Sequence, residues 1–490
     1  MSSRKYAVVQ KKLITLLPYV ICFFFFVAYS TLSIVRHSNY SSFGYDLGIN
    51  DQVVWRYSTF QSPVSTIDPF PEKIKFYAHV ELVYMLVAPF YWIWSSRKML
   101  ILVRTAWFCF SAIALYKLAR EKGVNQWVSV ALVVSYLGFY GVQNAMWADV
   151  HSSEFAAGFL MWLLYFMEAK KKVASYIFFF LAITARENIA FLTFLTSFVL
   201  FLKERAKIML YFMGISLLYL FFIFFIFFPH ILHVPYLYQN SGGIFSNLNP
   251  LSLVDSYENR EVIWYTLLSF GFLPLLSPLY LLPVLGNLIV YFVFASELTG
   301  AQGLFGHYRI SMVPFLAWAA IYAVVKYKNL NTWKTALYLI FFTLLVQYVL
   351  HLPLSYLSKD WFWNKPSAVN NINEVKQTYL PRNASVVAQN NIIPHISHRD
   401  KIYTLYPEKK KFASQSPCGR SECNWFRWHG HPEFLFVDIS SAWDIRHLFA
   451  NRDEYIDGLH NLEKAGIIKN YKQRGSTILY KVVRNPQEYK

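Results

Sequence analysis

The order of apolar and polar positions divides the chain at about residue 353. Before that point, long apolar runs alternate with short polar breaks, and about 20 apolar residues suffice to cross a bilayer. Crossings are predicted at roughly 13–35, 99–119, 125–145 and 155–169. Only about thirty residues separate Lys172 from Lys203, so this stretch reads as a hairpin of two short arms with its tip near "TARENI". A crossing over 208–228 leads to the polar loop "PHILHVPYLYQNSGGIFSNLNP". The uncharged stretch 262–296 is too long for one crossing and is split by Pro283 and Gly286, which predicts a second hairpin. Runs at 309–325 and 335–352 complete the set. Beyond 353 long apolar runs vanish, and "SVVAQ", "KIYTLY", "EFLFVDIS" and "STILYKVV" read as short buried strands. Between the last two, "WDIRHLFANRDEYIDGLHNLEKAG" reads as helix closed by Gly466.

Composition sharpens this into a class. The 490 residues are 56% hydrophobic and only 15% charged, well below the ~25% charged of soluble domains. The formal charge of +18 would point to nucleic acid in a soluble protein; here excess Lys and Arg mark cytoplasmic loops, and no nucleic-acid partner is expected. Arg4, Lys5, Lys11 and Lys12 hold the amino end inside, and the run after them reads as an uncleaved first span. Placing the Lys117, Lys170, Lys203 and Lys326 clusters on the same side forces even numbers of crossings between them. The expectation is a mainly α-helical polytopic membrane domain, 1–352, of about 11 spans, with a first external loop over 36–98. A small external α/β domain, 353–490, follows. Cys418 and Cys423 in "PCGRSEC" would then be able to pair, or with His429 and His431 to hold zinc.

This threading gathers ionisable groups at span ends on the external face. Asp46 and Asp51 lie in "GYDLGINDQVVW" after the first span; His79 and Glu81 open an aromatic segment expected to lie in the interface. "WADVHSSEF" carries Asp149, His151 and Glu154, the hairpin tip carries Arg186 and Glu187, and "LFGHYRIS" carries His307 and Arg309. Arg104 sits near the outer end of the second span. Taken one at a time, each has an ordinary explanation: Asp46 as a helix cap, Arg186–Glu187 as an ion pair, Arg104 as a snorkelling side chain. Together, carboxylates beside apolar walls can act as bases or bind a divalent cation, and arginines at the membrane boundary suit a lipid phosphate. The expected assignment is Asp51 or Asp46 as base, with Trp55 on the Asp51 face to stack on a sugar. His79, Arg104, Arg186, Glu187, His307 and Arg309 would bind substrate or phosphate, and Asp149, His151 and Glu154 would hold Mg2+ or Mn2+.

"YDLGINDQVVW", "YAHVELVYMLVAPFYWIW", "ADVHSSEF", "ARENIAF" and "GHYRISMVPF", followed by "LPRNASVVAQNNIIPHISHRDKIYTLYP", occur in an order that resembles a family of uncharacterised bacterial and archaeal membrane proteins. The resemblance covers nearly the whole chain, with two departures: "DVH" stands where the family has "DFH", and Asn188 replaces the second acid of "KED" or "RED". That family in turn is similar to the GT-C membrane glycosyltransferases. The resemblance implies a GT-C-like fold in a prokaryotic cytoplasmic (inner) membrane, a sugar donor on polyprenyl phosphate, and a lipid, glycan or protein acceptor, and it nominates Asp46 or Asp51 and Asp149. The principal alternative is a transporter or flippase for a lipid-linked or small polar substrate, for which the broken stretch 262–296 is the best support. A non-catalytic scaffold or sensor has no use for converging acids. No P-loop, dinucleotide fingerprint, nucleophile elbow or HExxH sequence is present, which favours a lipid-linked donor over a soluble nucleotide sugar.

Overall fold

The computed structural model describes residues 2–67, 79–234, 236, 249–294, 303–407, 426–440 and 452–485. Cys418 and Cys423, and the first part of the helical stretch that begins at Trp443, lie outside the described residues. The chain forms two compact units that interleave in sequence. The first comprises Met1–Ser33, Phe76–Val83 and Ile101–Ser358; the second comprises Ile34–Lys75, Tyr84–Leu100 and Lys359–Lys490. Most of the first loop therefore belongs with the carboxyl-terminal segment, a division that differs from the single boundary at 353.

The first unit is helical. Thr15–Ser38, Arg97–Glu121 and Lys207–Ile231 are long and apolar enough to cross a membrane, and Gln126–Gly138 with Tyr140–Trp147 would make a fourth, bent by 41°. Among the described residues this is fewer than the 11 crossings expected. The physical reason is segmentation: five further apolar helices, Lys172–Ala185 and Trp333–Val349 among them, run only 10–17 residues. The bend falls at Phe139, which leaves the helical region (φ −55°, ψ 137°). Helix Lys207–Phe221 passes into π geometry at Phe222, and stretch 262–296 is broken into Tyr257–Leu268, 3-10 turns and Leu282–Ile289. Helices Ser152–Glu168 and Val313–Lys326 are buried along nearly their whole length, as expected of segments apolar on every face. The expected hairpin is present: Lys172–Ala185 and Ile189–Glu204 join through extended Arg186 and a turn at Glu187 and Asn188.

The second unit is built on a five-stranded mixed sheet, and the four predicted strands are in it. Its order is β2 (Ile402–Thr404), β1 (Val386–Ala388), β5 (Phe434–Asp438), β7 (Thr477–Val482), β6 (Ile468–Arg474). β1 pairs in parallel with β2 and β5, while β7 is antiparallel to β5 and β6. Side chains alternate between two faces. Val386, Ala388, Phe434, Phe436 and Leu479 pack with helix Ala368–Thr378 and with Tyr40, Ile49 and Ile67 of the first loop. Val387, Leu435, Val437, Ile478 and Tyr480 pack with Tyr455, Leu459 and Leu462 of helix Arg452–Lys464. Covering both faces makes the inner strands read as unbroken apolar runs. The edge strand β6 was missed because it is mostly exposed and polar. A separate short pair, β3 (Tyr406–Pro407) and β4 (Phe426–Arg427), lies outside this sheet.

Candidate functional site

In the first unit the break between Lys172–Ala185 and Ile189–Glu204 presents two charged side chains. Leu82 N–H donates to Thr184 O at 3.0 Å, which ties the segment carrying His79 to this break. Glu187 is fully buried and accepts from Val80 N–H (3.1 Å), the Tyr236 hydroxyl (2.7 Å) and His79 Nδ1 (2.6 Å). The other His79 nitrogen, Nε2, faces Arg186 at 2.8 Å, and Arg186 also reaches His307 Nε2 at 3.3 Å. Because guanidinium only donates, both Nε2 atoms must accept, which fixes the proton of each imidazole on Nδ1. His307 stacks on His151, with ring centroids 3.5 Å apart. Arg186 is 7% exposed, and its Nε has no partner among the described residues.

Electrostatics follow from this packing. Burial alone would raise the Glu187 carboxyl, but His79, Arg186 and the Tyr236 hydroxyl outweigh it and hold it at about 2. Burial pushes the His79 and His307 imidazoles below their ordinary value, and Arg186 adds to the effect. The cluster thus sets the Glu187 carboxylate and the Arg186 guanidinium beside neutral His79 and His307, with Glu81 close enough to act on both His79 and Arg186. His79, His151, Arg186, Glu187 and His307 are the expected residues it brings together.

The remaining nominees in this unit are built into helix packing. His151 N–H donates to Glu154 (2.9 Å), and His151 Nδ1 lies 2.8 Å from the carbonyl of Asp149, an arrangement that caps helix Ser152–Glu168. Glu81 accepts from Ser152 at 2.7 Å. Arg104 does not snorkel: it is fully buried, donates to Ser33 (2.8 Å) and Ala145 O (3.2 Å), and lies 3.8 Å from Glu154. Arg309 is buried with its guanidinium 4.7 Å from the Phe292 ring centroid and 5.4 Å from that of Tyr291. Among the described residues, no group of three or more His, Cys, Asp or Glu side chains is placed to hold a metal ion.

Asp46 and Asp51 belong to the second unit. Gly44–Gly48 forms a π turn leading into helix Ile49–Ser58. Gly44 N–H donates to the Asn390 side chain and backbone at 2.8 Å each. Asp51 is fully buried. The Tyr91 hydroxyl donates to one oxygen (2.5 Å), the Ser397 hydroxyl to the other (2.5 Å), with His398 Nε2 at 3.0 Å and Arg97 Nε at 3.6 Å. Burial would raise this carboxyl, but His398, Arg97 and Ser397 bring it down to about 2. Trp55 stacks on His398, ring centroids 5.7 Å apart. Asp46 is half-buried. Sequence reasoning missed Tyr91, Arg97, Ser397, His398 and Tyr236. Their signal was faint: "HISHRD" pairs two histidines three apart, and only folding shows that the second of them meets Asp51.

No curated protein matches the chain. Among solved structures, ArnT from Cupriavidus metallidurans bound to undecaprenyl phosphate is similar at a TM-score of 0.53 and 12% identity, over 98% of each chain. The apo state of the same protein gives 0.54 at 12% identity, over 97% of this chain and 98% of that one. Likeness at this identity over nearly the full length shows a shared fold. The family model described as "Predicted membrane protein (DUF2079)" matches residues 36–425, and the chain belongs to that family.

Proposed function

We propose that the protein is a membrane glycosyltransferase that moves a sugar from a polyprenyl-phosphate donor to an acceptor hydroxyl on the external face of the membrane. The observation that carries this reading is Arg186: a buried guanidinium, braced by two neutral imidazoles, with a donor left over. As the sugar leaves, negative charge grows on the lipid phosphate, and a fixed buried cation stabilises that charge more in the transition state than in the ground state. Glu187 holds His79 in one tautomer and thereby aims Arg186. The shared fold with ArnT, solved with undecaprenyl phosphate bound, supports a polyprenyl-phosphate donor here.

The acceptor hydroxyl requires a base. Asp51, with donors on both oxygens and its carboxyl held at about 2, is a weak one. Asp51 instead fixes helix Ile49–Ser58 to the Ser397–His398 segment, and Asp46, half-buried, is the other carboxylate nominated as base. In this reading Arg104 and Arg309 brace the helices, and no step passes through Mg2+ or Mn2+. The test is transfer of a labelled sugar from polyprenyl phosphate in membranes carrying each variant. Arg186→Ala is expected to slow transfer by roughly 10²–10³-fold. Full activity in both Arg186→Ala and Asp46→Asn, or purified protein that only moves the lipid-linked sugar across liposomes, overturns the proposal.

A further inference from the structure

A groove of about 680 Å³ lies in the first unit, lined by Trp107, Phe110, Ile113, Lys117, Trp162 and Phe178 among others. It falls within the ~300–1,000 Å³ typical of ligand pockets. Its wall is a set of interlocked rings. Trp107 stacks on Phe178 with centroids 6.4 Å apart, and Trp162 lies 6.1 Å from the same ring. The one polar atom of Trp107, Nε1, is turned away to donate to Phe155 O at 3.2 Å. Gly158 makes that seat possible: a Cβ there would stand 2.6 Å from Trp107 Nε1. With any side chain at 158 the indole would be pushed outward and the concavity filled.

Charge is confined to one end. Lys117, exposed, holds its ammonium 5.7 Å from the Trp162 ring centroid, and Lys171 lies 5.5 Å from that of Tyr165. Glu121, four residues from Lys117, accepts from the Tyr165 hydroxyl at 2.9 Å. From Ala106 to Lys117 the groove follows helix Arg97–Glu121 for eleven residue steps, about 16 Å at 1.5 Å per residue. That is close to one leaflet, half of the ~30 Å hydrocarbon core. A polyprenyl chain is far longer than such a slot.

We infer that this groove binds one acyl chain of an anionic glycerophospholipid, its phosphate headgroup held by Lys117 at the membrane boundary. The slot length selects a single-leaflet chain, the ring wall immobilises it, and the cation at one end sets headgroup preference. This site is independent of Arg186 and of the proposed transfer reaction.

Native mass spectrometry of the full-length protein, exchanged into detergent with equimolar phosphatidylglycerol and phosphatidylcholine, tests it. The wild type is expected to retain one phosphatidylglycerol with about fivefold preference, the fold-change that ~1 kcal/mol from one lysine gives. Lys117→Gln should abolish the preference and Lys117→Arg should keep it, while Phe178→Ala should weaken retention of both lipids. Lys117 is exposed, so its two variants fold, and an unchanged unfolding temperature checks that. Equal retention of the two lipids by the wild type, a preference surviving Lys117→Gln, or displacement of the bound lipid by equimolar polyprenyl phosphate overturns the inference.

Discussion

Asp46 and Asp51 sit five residues apart and carry the same group, yet their surroundings separate their chemistry. In the proposed transfer reaction, loss of a general base costs roughly 10²–10⁴ in rate, so Asp46→Asn is expected to cut sugar transfer by that factor with unchanged expression. Asp51→Asn should act on stability first. The folded Asp51 carboxyl is held at about 2, below its unfolded value of about 3.9. The depressed value means that its contribution, roughly 2–3 kcal/mol, is fully present above pH ~4 and lost as pH falls through ~2. Thermal unfolding followed across that window should show this acid-sensitive step in the wild type and its absence in Asp51→Asn. A step that persists in the variant assigns it to another carboxylate, with Glu187, also held at about 2, next in line.

At the scale of elements, close approach decides where segments can break and meet. Gly44 opens the π turn against the 390–394 segment, and a Cβ there would lie 2.9 Å from Ile393 Cβ. Gly44→Val is expected to destabilise the second unit by about 1–3 kcal/mol, the usual cost of overpacking, read as a lower unfolding temperature. Gly430, with φ +70° and the Tyr403 ring where a Cβ would go, leaves no room for a side chain either. The break at Arg186–Asn188 was legible from spacing alone, because two short arms between basic clusters leave only one place for a tip. The kink at Phe139 was not, since nothing in "SYLGFYG" but its glycines departs from an apolar run. Helices shorter than a bilayer is thick remain stable when neighbouring helices cover them, and that is a property of packing rather than of sequence period.

At the scale of the whole molecule, the second unit draws residues 34–75 and 84–100 to the carboxyl-terminal sheet. Removing residues 359–490 strips Tyr40, Ile49 and Ile67 of Ile393, Val386 and Phe436, so limited proteolysis is expected to cut the 34–67 segment rapidly in the truncated protein and slowly in the intact one. The charge bias of the loops predicts an external carboxyl end; a reporter fused after Lys490 should be active only in the external compartment, and activity in the cytoplasm reverses the topology. The sequence by itself determined that this is a helical membrane protein with a small α/β tail, since apolar runs, loop charge and strand alternation are local and additive along the chain. It also nominated Arg186, Glu187, His79, His151 and His307, because charges are costly beside apolar spans unless paired or used. Only the tertiary structure decided that Arg186 lies between two imidazoles, that Asp51 is enclosed by Tyr91, Ser397 and His398, and that Arg104 braces helices. Those outcomes depend on contacts between residues 40 to 346 positions apart, where no local pattern carries the information and the partners met on folding set how each buried charge is held.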